Sequence, residues 1–142
     1  RGVDEVDRGQ YDKSSITDFA TGCCMAIKID LFDKIGFFDE KYFLYYEDND
    51  LSQRAKLAGF DILYQPKGIL WHKNAVSAGG SGSSLQDYYI SRNRMLFGFE
   101  FASFKTRLAL LKESVSLMIN GRKLQKKGIK DYFLKKYGKG EF

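Results

Sequence analysis

The sequence contains few of the residues that bind metals, form disulfides or break helices. Among its 142 residues are one His, two Cys, one Pro and one Trp. The cysteines, Cys23 and Cys24, are neighbours, so they point to opposite faces of an extended chain and pair poorly with each other. One His and two adjacent Cys cannot supply a tetrahedral zinc site. This use of cysteine favours a reducing compartment.

Long apolar runs are also missing from the sequence. No run reaches the ~18 apolar residues of a membrane-spanning helix, and residues 1–5 show no apolar signal-peptide core. The length and the hydrophobic share of 44% are sufficient for one domain with a real core. We therefore expect a cytoplasmic protein.

The charges are divided unevenly along the chain. Residues 1–91 hold 10 basic and 14 acidic side chains, whereas residues 92–142 hold 13 basic and 4 acidic ones. A basic C-terminal part suggests contact with phosphate, nucleic acid or an anionic membrane, and the alternative is a solvated basic helix. Its basic residues lack the interleaved aromatics of single-strand binders, so we expect no nucleic-acid partner.

The apolar pattern of the first half predicts alternating strands and helices, an α/β fold. A buried strand interrupted by Gly22 is predicted over residues 17–29. Helices are predicted from a cap at Asp30 to Gly36, and from Asp48 to Gly59. Two short strands are predicted over residues 60–64 and 69–72.

The second half is predicted to be helical from residue 85 to about 127, after a flexible Gly/Ser-rich loop over residues 78–84. One apolar stripe recurs at helical spacing: Phe104, Leu108, Leu111, Val115 and Met118. This stripe either packs against its own protein or lies on a membrane surface. The basic run 122–127 favours an anionic membrane, because each basic residue adds about 1 kcal/mol there.

The chemically richest stretch is residues 36–54, where five acids stand among six aromatics. Glu47, Asp48 and Asp50 fall in the first turn of a predicted helix, where the dipole favours negative charge. Asp48 or Asp50 is then either a helix cap or a general base beside an aromatic cleft. A calcium-binding EF-hand is excluded because Gln53 and Gly59 occupy its required Gly and Glu positions.

Several motifs, taken in order, resemble the C-terminal half of bacterial and archaeal family 2 glycosyltransferases, especially the rhamnosyltransferase-like branch. They are Thr21-Gly22-Cys23-Cys24-Met25, residues 36–43 and 47–54, Ala58-Gly59-Phe60, Pro66, Trp71-His72 and Tyr88-Tyr89-Ile90-Ser91-Arg92-Asn93. The resemblance covers roughly residues 7–97. It implies the acceptor-side half of a GT-A (Rossmann-like) domain in residues 1–77, followed by the loop 78–84 and a basic helical region in residues 85–142.

The resemblance also implies a function. It implies inverting transfer of a sugar from a nucleotide-diphosphate sugar to a glycan or lipid-linked acceptor, in cell-surface polysaccharide or glycolipid synthesis. A divalent cation, Mn or Mg, would hold the diphosphate. The nucleotide-binding half of the family, with its D-x-D motif, is not in these residues, so we expect an acceptor-side fragment that is inactive alone. A non-catalytic glycan-binding module is the alternative.

The resemblance assigns roles to individual residues. Asp48 matches the acid that takes the acceptor proton, and Glu47 is its neighbour. Thr21 and Gly22 match the strand that lines the acceptor side, and Asp39 lies in the loop facing it.

The remaining site residues concern sugar stacking and the metal. The rings of Tyr46 and Trp71 either stack on sugar faces or are part of the core. His72 matches a histidine that joins the metal site in several GT-A enzymes. Residues 48–50 fit the D-x-D letters but stand at a helix start, so we do not assign them to the metal. The basic helices are expected to hold the protein at the inner face of the membrane.

Overall fold

The computed structural model describes residues 5–71 and 83–141. The elements, in chain order, are β1 Ser15–Ile16, α1 Ile29–Ile35, α2 Glu47–Leu57, β2 Leu63–Tyr64, α3 Ser84–Phe101, α4 Phe104–Asn120 and α5 Lys123–Phe133. The two strands pair antiparallel, with Ser15 opposite Tyr64. The expected mixture of helix and strand is present, whereas the larger GT-A sheet stays a prediction, because the described residues form only this small sheet.

The strand predictions are mostly wrong. Residues 17–28 form no strand, residues 60–64 contribute only Leu63–Tyr64, and residues 69–71 form none, while residue 72 lies outside the described ranges. A strand requires a neighbour that takes its backbone hydrogen bonds. Within the described ranges, only residues 15–16 and 63–64 pair as strands.

The segment 18–22 lies along α2 instead of joining a sheet. Three hydrogen bonds join them: Ala20 N to Ser52 Oγ (3.2 Å), Gly22 N to Asp48 Oδ2 (2.9 Å) and Lys56 Nζ to Asp18 Oδ1 (2.8 Å). Because the helix residues in these bonds are spaced by four, they share one face of α2. The segment therefore runs antiparallel to the helix and ends beside its N-terminus.

Arg54 joins α1 to α2. Its Nη1 and Nη2 donate to the carbonyl oxygens of Ile35 (2.6 Å) and Phe37 (2.9 Å), and its Nε donates to Asp50 Oδ2 (2.8 Å). Cations are favoured at helix C-termini, where carbonyls lack helical partners. As predicted, α1 ends at Gly36, which has a φ of 72°, a conformation that glycine adopts at little cost.

The predicted helix caps are wrong. The residues that precede the first turns of α1 and α2 are Lys28 and Tyr46, and neither side chain caps the helix. Asp30, Asp48 and Asp50 lie inside the first turns instead. There their charge suits the helix dipole. The side chain of Asp48 accepts hydrogen bonds from Gly22 and Asn49, and that of Asp50 accepts one from Arg54.

The C-terminal region comprises three helices rather than one continuous pattern. The Ser83 and Ser103 hydroxyls accept backbone N–H bonds at the starts of α3 and α4. α5 packs closely on α3 at Gly128, where a Cβ would lie 2.4 Å from the carbonyl oxygen of Tyr88. The buried cluster at the centre consists of Met95, Leu110 and Ile129.

The apolar stripe predicted on α4 is largely exposed. Four of its side chains are exposed: Phe104 (75%), Leu108 (50%), Val115 (59%) and Met118 (43%). The prediction that the stripe packs against its own protein is therefore wrong for these four within the described chain. The inward face carries Arg107, Leu110, Leu111, Ser114 and Leu117, of which only Leu111 belongs to the predicted stripe. Two of these are polar, which is why hydrophobicity misplaced the face. None of the helices among the described residues is both long and apolar enough to cross a membrane.

Candidate active site

Three acids at the start of α2 point in three directions. Glu47, Asp48 and Asp50 all lie in the first helical turn. Asp50 is 1% exposed and pairs with Arg54 at 2.7 Å. Burial raises the pKa of Asp50, and the hydrogen bond and charge of Arg54 oppose that rise. Asp50 therefore has a structural partner, whereas no ion pair joins Asp48 or Glu47 to a basic side chain within the described ranges.

The carboxylate of Asp48 is partly exposed and is held by backbone and side-chain donors. Its Oδ2 accepts the Gly22 N–H at 2.9 Å, and its Oδ1 accepts the backbone N–H (2.8 Å) and Nδ2 (3.0 Å) of Asn49. A Cβ on Gly22 would lie 3.6 Å from Oδ2, in ordinary van der Waals contact. Two residues that the sequence places in the site thus touch, and the carboxylate has a fixed orientation.

Glu47 has a different environment from Asp48. Its Oε2 is buried and has no hydrogen-bond partner among the described residues. Burial raises the pKa of Glu47, its backbone N–H lowers it, and the nearby charge of Asp48 raises it further. A buried carboxylate oxygen without a partner costs stability. Such groups concentrate at functional sites.

An open pocket of about 550 Å³ lies beside Glu47. The loop before α2 and the C-terminal segment form its walls, through Phe38, Asp39, Glu40, Lys41, Phe43, Glu47, Tyr137, Gly138 and Lys139. Three of these nine residues are aromatic and five are charged, so the pocket offers both ring faces and hydrogen-bonding groups to a polar ligand. Asp39, a predicted site residue, lies in this wall and accepts bonds from the backbone N–H and Nζ of Lys41.

The other predicted site residues have separate surroundings and do not line the pocket. Thr21 is exposed next to Gly22. The ring of Tyr46 lies 5.7 Å from that of Phe97, and burial raises its pKa. Trp71 is 89% exposed, and no hydrogen bond within the described ranges joins it to Asp48. His72 lies outside the described residues.

The described residues do not provide a metal site. Within residues 5–71 and 83–141, no three or more His, Cys, Asp or Glu side chains are placed to hold an ion together. Asp50 is neutralised by Arg54 and Asp39 by Lys41. The expected Mn or Mg therefore does not fit the described residues on their own.

Sequence reasoning missed the residues that shape the loop before α2. Arg92 and Asn93 of α3 are 0% exposed and donate to carbonyl oxygens of residues 41–45. The Tyr137–Lys139 wall was also missed. The resemblance contained Arg92-Asn93 as a motif, which was the available signal, but sequence alone does not show that an Arg is buried.

Glu47 lines the open pocket, and its neighbour Asp48 carries a carboxylate that Gly22 holds in place. Carboxylates in such positions can accept a hydrogen bond or a proton from a polar ligand. The model of the glycosyltransferase-like family 2 matches residues 3–98. The chain therefore belongs to this family, and the resemblance seen in the sequence is confirmed.

Curated relatives are similar to this chain over part of their length. The N-acetylglucosaminyl-diphospho-decaprenol L-rhamnosyltransferase of Mycobacterium tuberculosis is 38% identical over 64 residues, 45% of this chain and 21% of that protein. The low-salt glycan biosynthesis hexosyltransferase Agl10 of Haloferax volcanii is 34% identical over 79 residues, 56% of this chain and 26% of that protein. The match thus spans about a fifth to a quarter of these relatives. No solved structure shows a significant match.

Proposed function

We propose that this chain forms the acceptor side of an inverting glycosyltransferase. The enzyme transfers a sugar from a nucleotide-diphosphate sugar to a hydroxyl of a glycan or lipid-linked acceptor, in cell-surface polysaccharide or glycolipid synthesis. Family membership and the names of the relatives support transfer of a sugar. The observation that carries the proposal is the partly exposed carboxylate of Asp48, held by Gly22 inside the family-matched segment.

Asp48 is the general base of the proposed reaction. The acceptor oxygen attacks the anomeric carbon from the side opposite the diphosphate, and Asp48 takes the hydroxyl proton as the new C–O bond forms. The bond to the diphosphate breaks, and the diphosphate leaves with the electron pair. A single displacement inverts the anomeric centre and requires no covalent enzyme intermediate. The N–H donors of Gly22 and Asn49 keep the carboxylate aligned during the proton transfer.

Glu47 and the pocket beside it bind the acceptor sugar. Glu47, which lines the pocket, accepts a hydroxyl hydrogen bond through its carboxylate, and Asp39 contributes from the facing loop. Phe43 is 50% exposed at the pocket wall and offers a ring face to a sugar. Thr21, Tyr46 and the exposed ring of Trp71 extend the acceptor surface.

The donor is bound by residues outside this chain, which is therefore inactive alone. A divalent cation, Mn or Mg, would supply positive charge to the diphosphate when bound in the whole enzyme, and His72 is proposed as one of the residues that would hold it. Because the described residues provide no such site, no step above depends on the ion.

The exposed face of α4 is proposed to lie on the inner face of the cytoplasmic membrane. Apolar side chains there stand next to Lys105 and Lys112, which are exposed. Apolar burial combined with basic residues is the pattern of interfacial helices. This placement would bring a lipid-linked acceptor to the site.

Turnover by an Asp48→Asn variant of the full-length transferase tests the base. With a nucleotide-activated rhamnose or hexose and a polyprenyl-diphosphate-linked sugar, we expect kcat to fall about 10²- to 10⁴-fold. Asp61, an exposed acid outside the site, provides the matched control Asp61→Asn, which should keep normal kcat. Glu47→Gln should mainly raise the acceptor KM. Normal turnover by Asp48→Asn would remove its role as the base.

A further inference from the structure

The loop that leads into α2 has an unusual backbone. Phe43, Tyr45 and Tyr46 have φ values of 61°, 64° and 75°. Bulky residues rarely adopt this left-handed region, because Cβ approaches the backbone. Three such residues within four positions persist only where the surroundings determine the conformation. The loop ends directly at Glu47 and Asp48.

Arg92 and Asn93, which we call the carbonyl clamp, determine this conformation. Arg92 Nη2 donates to the carbonyls of Lys41 (3.0 Å) and Tyr42 (2.9 Å), and Asn93 Nδ2 donates to those of Tyr42 (2.9 Å), Leu44 (2.8 Å) and Tyr45 (2.8 Å). Four of the five consecutive carbonyls from residue 41 to residue 45 are therefore bound by two side chains.

The guanidinium of Arg92 has no carboxylate partner in the described part of the chain. Its Nε donates to Asn93 Oδ1 at 2.9 Å, and its Nη1 donates to the Gly138 carbonyl at 2.8 Å. The rings of Tyr88 and Tyr89 lie 5.3 and 5.0 Å from its central carbon. A buried guanidinium is costly unless its donors are satisfied. Here the partners are mainly backbone carbonyls, so Arg92 fixes backbone shape.

The same contacts hold the second wall of the pocket. Gly138 N donates to the Lys41 carbonyl at 2.8 Å, and Gly140 N donates to the Tyr89 hydroxyl at 2.8 Å. Lys41 O thus accepts from both the clamp and the C-terminal segment. The loop, α3 and residues 138–140 form one hydrogen-bonded unit around the pocket.

We propose that Arg92 and Asn93 are positioning residues that hold the loop 41–46 and thereby orient Asp48 and Glu47. The inference rests on the proposed function for the roles of the two acids. It connects these two residues of α3, but not the rest of that helix, to the geometry of the site.

Amide hydrogen exchange in the full-length protein tests the clamp without any substrate. Asn93→Ala removes the NH2 group whose two N–H bonds are shared among the carbonyls of residues 42, 44 and 45. Met95→Ala, two residues further on and 2% exposed, removes a core side chain of the same helix instead. We expect Asn93→Ala to speed exchange at least 10-fold in peptides covering residues 41–50 and 18–24, the second because Gly22 N bonds to Asp48. Met95→Ala should instead speed exchange within α3, α4 and α5. Equal patterns in the two variants would overturn the proposal.

Kinetics test the consequence for chemistry. Well below both melting transitions, Asn93→Ala should lower kcat at least 10-fold with a smaller change in acceptor KM, whereas Met95→Ala should keep kcat within 2-fold. Arg92→Lys keeps the charge but loses the planar guanidinium that donates to several carbonyls at once, so it should lower kcat as Asn93→Ala does. Unchanged kcat in both clamp variants would overturn the positioning role. If the wild-type protein transfers no sugar, the proposed function fails, and the exchange pattern still decides whether the clamp holds the loop.

Discussion

The ion pair between Asp50 and Arg54 provides a direct test of how the start of α2 is held. Arg54→Ala would leave Asp50, which is 1% exposed, as a buried carboxylate without its cation. Breaking a buried pair from one side costs about 3–5 kcal/mol. The carbonyls of Ile35 and Phe37 would also lose donors. We therefore expect the free energy of unfolding to fall by about 3–5 kcal/mol, mostly because the buried charge of Asp50 is no longer compensated.

Urea unfolding of four proteins measures this loss: the wild type, Arg54→Ala, Asp50→Asn and the double variant. The double variant should be more stable than Arg54→Ala, because a neutral amide does not need the cation. The pH dependence of this loss of stability follows from the raised pKa of Asp50, because the folded state disfavours the ionised carboxylate. The cost of Arg54→Ala should therefore be largest at neutral pH and should shrink as acid protonates Asp50.

The control lies on the same helix. Lys56→Ala removes the pair with Asp18, whose side chain is 94% exposed, and should change stability little because solvent screens such pairs. Three results would refute the argument about Arg54. They are a loss no larger than that of Lys56→Ala, a double variant as unstable as Arg54→Ala, and a cost that does not change with pH.

Two further predictions concern Glu47 and α4. Because burial raises the pKa of Glu47, its contribution to stability is present below the ordinary Glu pKa and is lost as pH rises through the folded value. Glu47→Gln should therefore raise the melting temperature at pH 7 but not at pH 4, and equal gains at both pH values would contradict this. The protein should co-sediment with vesicles containing anionic phospholipid at low salt, and Phe104→Ser with Val115→Ser should weaken binding several-fold. Phe37→Ser is the control, because Phe37 is 72% exposed but lies outside α4. Equal binding to anionic and neutral vesicles would contradict a contribution of the basic residues to binding.

Local signals in the sequence predicted the elements that depend on near neighbours. Gly36 and Gly59 mark helix ends and have φ values of 72° and 84° in the structure, and the helix between residues 48 and 58 differs from α2 by one residue at each end. The prediction of a strand over residues 17–29 was wrong because strand formation depends on pairing with distant segments. Residues 18–22 bond to α2 instead, through side chains that alternation of apolar residues does not reveal.

The three acids of α2 show why the sequence predicted a group of acids but not the separate surroundings of each acid. They are close in sequence, and each helical residue turns about 100° from the last, so each meets a different part of the chain. Asp48 meets Gly22, Asp50 meets Arg54, and Glu47 meets the pocket completed by the C-terminal segment. Their surroundings therefore depend on residues that are 26, 4 and about 90 positions away. Only the second of these separations fits within one helix, so the first and third required the structure.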